Sequence, residues 1–227
     1  MITPDIAANL QAVRARIGRA ATAVGRDAGS VTLVAVSKMQ PEESVRVAIT
    51  AGQRHFGENR VQEAQAKFAT LRETSGDLVL HLIGPLQTNK VRQALALFDV
   101  VETLDRPRLA HALAEEMARS GRRVPCLIEV NVGAEAQKAG VALDALPAFV
   151  TLCRSLQLPL QGFMCIPPHD EQPAPFFALL AKLADRYELP VRSMGMSADF
   201  EAAVALGATS VRVGTAIFGE RPPAVAG

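Results

Sequence analysis

Short apolar segments alternate with segments of helical period eight times along the chain. The first is Val31-Thr32-Leu33-Val34-Ala35-Val36-Ser37-Lys38, β-branched and apolar on both faces, the pattern of a strand buried on both sides. Pro41 follows, and then Val45, Ala48, Ile49 and Gly52 recur at helical spacing over 42–52. The same alternation predicts strands over 54–57, 78–83, 98–102, 124–132, 158–164, 190–194 and 209–213. The helices between them are predicted over 59–71, 88–97, 106–120, 142–155, 173–187 and 198–206, with a short helical turn after Thr215. A further helix carrying Ile6, Leu10, Val13, Ile17 and Val24 precedes the first strand, with Thr3 as its cap, Pro4 at its first position and Gly25 at its end. Alternating βα units imply a parallel sheet, and eight of them imply a closed (β/α)8 barrel with an additional N-terminal helix. At 227 residues the chain is close to the lower limit for a fold that typically takes about 250, so a single barrel domain over 1–227 is expected. An open doubly wound sheet would want a glycine-rich phosphate loop after the first strand, and Lys38-Met39-Gln40-Pro41 has no glycine.

A net charge of +1 supplies no basic footprint for nucleic acid or an anionic membrane. No apolar run approaches the roughly 20 residues of a membrane helix, and the N-terminus lacks the basic and apolar parts of a signal peptide. Cys126, Cys153 and Cys165 are odd in number and widely spaced, a pattern of neither zinc ligands nor disulfides. A cytoplasmic protein with reduced thiols is expected.

In a barrel of this kind the chemistry lies at the C-terminal ends of the strands. Strand alternation puts Lys38 on one face with Thr32, Val34 and Val36. A lysine there reaches water, pairs with an anion, or loses its charge and becomes a nucleophile toward an aldehyde. The other strand ends deliver Gly57-Glu58-Asn59, His81, Asn131, Met164, Gly195-Met196-Ser197, and Arg212 with Gly214-Thr215. Ser197 is placed to cap the helix of Phe200, Ala203 and Val204. Two turns that each combine glycine with a hydroxyl, on the last two strands, suit a phosphate, though ordinary capping explains them as well. Arg212 lies between Val211 and Val213, so it faces the barrel interior if the valines face the helices. There it needs acceptors, either a ligand atom or a carboxylate such as Glu58 or Glu129. His55 and His81 on neighbouring strands, with Glu58 nearby, raise a metal site. His111 falls in a helix and His169 in the polar loop 167–173, so a third ligand is lacking and no metal is expected. A desolvated lysine, a phosphate site across the barrel and an interior arginine together describe a phosphorylated aldehyde. Pyridoxal 5′-phosphate (PLP) fits, and a class I aldolase for a sugar phosphate would use the same parts.

Longer motifs narrow the choice. Ala35-Val36-Ser37-Lys38, His55-Phe56-Gly57-Glu58-Asn59, Val61-Gln62-Glu63, His81-Leu82-Ile83-Gly84-Pro85-Leu86-Gln87-Thr88-Asn89-Lys90 and Lys138-Ala139-Gly140 occur in order, followed by Ser193-Met194-Gly195-Met196-Ser197-Ala198-Asp199 and Arg212-Val213-Gly214-Thr215-Ala216-Ile217-Phe218-Gly219. In these motifs, from about 31 to 221, the chain resembles the YggS/PROSC family of pyridoxal phosphate homeostasis proteins. The resemblance implies a fold type III barrel related to the N-terminal domain of alanine racemases. It also implies Lys38 as the aldimine lysine, Ser197 and Thr215 with nearby backbone N–H groups on the phosphate, Arg212 at the pyridine nitrogen, Asn59, His81 and Met164 around the ring, and Gly195, Met196 and Gly214 among the cofactor-binding residues. Met39 and Leu80 depart from the family, where threonine and an aromatic are common. Racemisation needs a proton donor on each face of the substrate carbon. The alanine racemases use a tyrosine from an additional domain, whereas Tyr187 here is the only tyrosine and falls on a helix. The reading is therefore a PLP carrier without robust catalysis, expected as a monomer whose partners are the apoenzymes that use PLP. An amino-acid racemase is the alternative.

Overall fold

The computed structural model describes residues 4–135 and 137–220. Its elements run α1 (Ile6–Thr22), β1 (Thr32–Val36), α2 (Glu42–Thr50), β2 (His55–Glu58), α3 (Val61–Thr74), β3 (Val79–Leu82), α4 (Val91–Leu97), β4 (Val100–Leu104), α5 (Pro107–Ser120), β5 (Cys126–Glu129), α6 (Leu146–Ser155), β6 (Leu160–Met164), α7 (Ala174–Arg186), β7 (Val191–Ser193), α8 (Phe200–Ala205), β8 (Ser210–Val213) and α9 (Thr215–Phe218). The strands close into a barrel in chain order. All the pairings are parallel, including the closing one, in which Val34 lies beside Arg212. The predicted (β/α)8 topology with a leading helix is the one observed.

Most differences are shortened ends. β1 stops at Val36, because the chain turns at Lys38-Met39 and Met39 takes a left-handed φ of +60°. Ser37 keeps the ladder for one more residue, its N–H donating to Gly57 O at 3.0 Å. The cap expected at Thr3 lies outside the described residues. Asp5 caps α1, its carboxylate accepting from the Ala8 N–H at 3.0 Å, so Pro4 stands ahead of the helix. Ile6, Leu10, Val13 and Ile17 are buried as their spacing predicts, but Val24 lies past the helix end and is 46% exposed. The apolar face of α1 closes the seam between α2, α8 and α9. Arg16 pairs with Glu201 at 2.7 Å and lies over the Phe200 ring, and Asn9 donates to Ile217 O at 2.9 Å.

The pleat sorts the strand residues. Those turned outward meet helices and form the apolar layer, with Phe56 against Phe68 at 5.6 Å and Phe163 against Tyr187 at 5.7 Å between ring centroids. Those turned inward include His81, Glu102, Ser193 and Arg212, with Val34 in register beside Arg212 and Met164 beside Ser193, so a polar chain runs among apolar side chains in the middle of the barrel. Gly162, between β5 and β7, has no space for a side chain: an added Cβ would lie 2.0 Å from Val191 O and 2.6 Å from Val191 Cβ. Backbone of a neighbouring strand cannot yield as a side-chain tip does. Gly162→Ala is therefore expected to destabilise the protein by about 1–3 kcal/mol, measured as a lower urea midpoint at unchanged m-value.

Candidate functional site

The interior is organised by a chain of hydrogen bonds that crosses the barrel. Arg212 on β8 is 4% exposed. Its Nη1 donates to Ser193 Oγ at 2.6 Å and its Nη2 to Cys165 O at 2.8 Å. The Ser193 hydroxyl donates to Glu102 Oε2 at 2.6 Å, and Arg212 stands 3.9 Å from the same oxygen. The other oxygen, Oε1, meets His81 Nδ1 at 2.7 Å, and His81 Nε2 meets His55 Nδ1 at 3.0 Å. His81 Nδ1 faces the Glu102 carboxylate as a donor, and one proton lies between His81 Nε2 and His55 Nδ1. Both His81 nitrogens are thereby engaged, and among the described residues no three His, Cys, Asp or Glu side chains are grouped to hold a metal.

Arg212 thus faces inward as Val211 and Val213 imply, but its carboxylate is Glu102. Glu58 points the other way, toward α3, where Lys67 Nζ holds it at 2.8 Å. Burial works to raise the Glu102 carboxyl. The hydrogen bond and charge of His81, the charge of Arg212 and the Ser193 hydroxyl outweigh it, leaving the group below its usual range. Burial and the neighbouring His81 lower His55. Glu129, on β5 with Met164 beside it, is pushed up to about 7, chiefly by burial and then by Asp105, with Arg212 and Lys138 opposing. Burial likewise pushes the thiols of Cys126, Cys153 and Cys165 up to about 12, and all three are free and buried.

The final two strands end in turns built around one hydroxyl. Ser197 does not cap α8: Asp199 occupies the cap position, and its carboxylate instead accepts from the Met196 N–H at 2.6 Å. The Ser197 Oγ crosses to the next unit and accepts from the N–H groups of Gly214 at 3.3 Å and Ala216 at 3.4 Å, where α9 starts at Thr215. Gly195 has φ +95°, and a Cβ there would lie 2.6 Å from that of Ala203. Only glycine fits both demands. This turn is not across the barrel from Lys38. Closure puts β8 next to β1, and a Cβ on Gly214 would lie 3.3 Å from Val36 O. The turn and the lysine are neighbours on one rim.

Lys38 is half-buried just past β1. Asn59, just past β2, has its side-chain Oδ1 buried with no hydrogen-bond partner among the described residues. Its backbone leans on Gly84, where a Cβ would be 2.5 Å from Asn59 O. Met164 is fully buried at the end of β6, beside Ser193, and Met196 is 38% exposed. Asn131 turns its amide onto its own loop, exchanging hydrogen bonds with the Glu135 backbone. Sequence reasoning missed Glu102 and Ser193. Their signal was present, since Glu102 sits between Val101 and Thr103 in an apolar strand and Ser193 is two residues from Gly195 on the same face.

Eight parallel strands, an interior arginine and a hydroxyl-held turn beside a rim lysine define a barrel of the alanine racemase N-terminal type. The family model described as alanine racemase, N-terminal domain, matches residues 8–222. A Pseudomonas aeruginosa protein named pyridoxal phosphate homeostasis protein is 43% identical over 222 residues, covering 95% of this chain and 96% of the relative. Its namesake from Aquifex aeolicus is 39% identical over 224 residues, covering 93% and 96%. The chain belongs to the pyridoxal phosphate homeostasis protein family, within the larger group that shares the alanine racemase N-terminal domain. Among solved structures, PipY of Synechococcus elongatus with PLP bound superposes with a TM-score of 0.83 at 38% identity, covering 95% of this chain and 100% of that one. Clostridium difficile alanine racemase shares the fold at a TM-score of 0.68 and 14% identity, covering 92% of this chain and 57% of the racemase.

Glu129 offers a test of the interior charge balance. A carboxyl raised from 4.5 to about 7 on folding opposes its own ionisation, so the penalty is full above the higher value and absent below the lower. Glu129→Gln removes the ionisation. The variant is expected to exceed the parent in stability by up to about 3 kcal/mol near pH 8 and by almost nothing near pH 4, compared by urea unfolding at each pH.

Proposed function

We propose that this protein binds pyridoxal 5′-phosphate at the barrel mouth, bonded covalently to Lys38, and holds and hands on the cofactor without robust catalysis of its own. The observation that carries the reading is the adjacency of Lys38 to the turn at 214–216, whose N–H groups rest on Ser197 only at 3.3–3.4 Å. Those N–H groups and the Ser197 and Thr215 hydroxyls suit a phosphate, and Gly195 and Met196 shape the wall beside them. The unpartnered Asn59 Oδ1 suits a ring hydroxyl. Arg212, fixed by Ser193 and the Cys165 carbonyl, suits a ring nitrogen, with His81 and Met164 on the adjoining walls. The names of the relatives and the PLP in PipY support the same reading.

When bound, the group supplies an aldehyde that takes the lysine nitrogen with loss of water, and a ring that withdraws electrons. Arg212 keeps its own protons, so it donates to a ring nitrogen without protonating it, which weakens that withdrawal. Tyr187 is not available as a second proton donor. It ends α7, with its ring edge-on to Phe163 in the helix layer. A carrier role makes PLP-dependent apoenzymes the partners, and a cytoplasmic monomer the form in which the protein meets them. No described helix is long and apolar enough to cross a membrane.

Borohydride reduction of the PLP-loaded protein is expected to leave a pyridoxyl group on Lys38, found by peptide mapping, and Lys38→Ala is expected to lose it while keeping weaker reversible binding. The group appearing on Lys67, Lys90, Lys138 or Lys182, with Lys38 unmodified, would refute the assignment. Incubation of the loaded protein with each common L-amino acid, followed by chiral analysis, is expected to show no racemisation approaching about 1 s⁻¹, the low end of ordinary turnover.

A further inference from the structure

Behind Lys38, on the helix side of the barrel wall, lies a second buried charge cluster that the site above does not use. Lys67 of α3 is 7% exposed, and Glu58 is fully buried. The Lys67 ammonium donates to Ser37 O at 2.7 Å, Glu58 Oε1 at 2.8 Å and Glu63 Oε1 at 3.2 Å, so its three protons have three acceptors. Ser37 Oγ donates to Glu58 Oε1 at 2.7 Å. Glu63 Oε1 also accepts from the Met39 N–H. Residue 37 is thus held by its carbonyl and hydroxyl, and residue 39 by its amide.

We propose that Lys67 and Glu63 are positioning residues for Lys38, clamping the backbone on either side of it so that its amine is presented to an aldehyde at the rim. The inference rests on the assignment of Lys38 as the covalent partner. Two features favour this over a plain stabilising role. Ala64, Phe68 and Leu71, three before, one after and four after Lys67 on α3, are buried, so an apolar pair in place of Lys67 and Glu58 would avoid the cost of burying two charges. Met39 also holds φ +60° without being glycine, a conformation that persists only where the surroundings impose it, and its amide is the one Glu63 accepts from. The cluster reaches the two neighbours of Lys38 through the backbone, at Ser37 O and the Met39 N–H.

The test compares two ligands, pyridoxal 5′-phosphate and 4-deoxypyridoxine 5′-phosphate, which carries a methyl group in place of the aldehyde. Reversible contacts are common to both, and only the first can bond Lys38. Glu63→Ala removes the acceptor for Met39, Glu63→Gln keeps an acceptor, and Lys67→Met removes the cation. Thermal unfolding identifies folded variants, and Glu63→Ala carries the test if Lys67→Met does not fold. In Glu63→Ala the parent's preference for the aldehyde ligand is expected to fall about tenfold, with the dissociation constant of the methyl analogue unchanged and Glu63→Gln restoring most of the preference. Equal weakening of both ligands, or a preference that survives in Glu63→Ala and in folded Lys67→Met, overturns the proposal. A parent protein that binds both ligands equally overturns the Lys38 assignment itself, and this inference with it.

Discussion

A guanidinium inside a barrel cannot shed its charge, and much of this structure answers to that one fact. Arg212 is 4% exposed and therefore needs acceptors on several sides. Ser193 on β7, the Cys165 carbonyl after β6 and Glu102 on β4 supply them. Glu102 in turn needs donors for its second oxygen, and His81 on β3 and then His55 on β2 extend the chain. Five strands are thereby tied to one another through side chains inside the barrel, in addition to the ladder outside it. A (β/α)8 barrel ordinarily fills this volume with layers of branched apolar residues. Here a polar chain takes part of that place, beside Val34 and Met164, and removing one member would leave its neighbours short of a partner, the costly half of every buried ion pair.

The apolar side of the balance is correspondingly displaced to the helix layer. Phe56, Phe68, Phe98, Phe163, Phe177 and Phe200 are all fully buried. Each large apolar side chain taken from water contributes roughly 1.5–3 kcal/mol. The leading helix α1 adds to this layer where the chain closes, covering α8 and α9 next to the turn that Ser197 holds. The rim is thus backed by packed helices.

The fold was legible because its signals are local. Strand and helix periodicity, with glycine and proline between them, is written in consecutive residues, and eight alternations admit few architectures. The position of Lys38 just past β1, the inward facing of Arg212 and the tight turn at Gly195 could be read for the same reason, each from its place in a strand or turn. What could not be read was which carboxylate meets Arg212. Glu58 and Glu129 were both plausible from spacing, and the partner is Glu102, because facing is decided residue by residue and β2 presents Glu58 outward to Lys67. Ser197 shows the same limit. A serine ahead of a helix reads as its cap, yet the Oγ serves the backbone of a different unit, which only barrel closure brings near.

Closure also explains why the rim lysine and the hydroxyl turn come from opposite ends of the chain. β1 and β8 are separated by more of the sequence than any other pair of strands, and Val34 beside Arg212 makes them neighbours. A ligand touching both therefore spans the seam where the barrel shuts. Binding there stabilises the closed form over any state in which β8 has left β1, by an amount set by ligand concentration relative to its dissociation constant. A site at the seam would couple occupancy to the long-range contact that is costliest in chain entropy to form. The polar chain reaches the same place from the other side, since Arg212 is its terminus and lies in the closing strand. Buried charge and topology thus converge on β8, the strand that closes the barrel on β1.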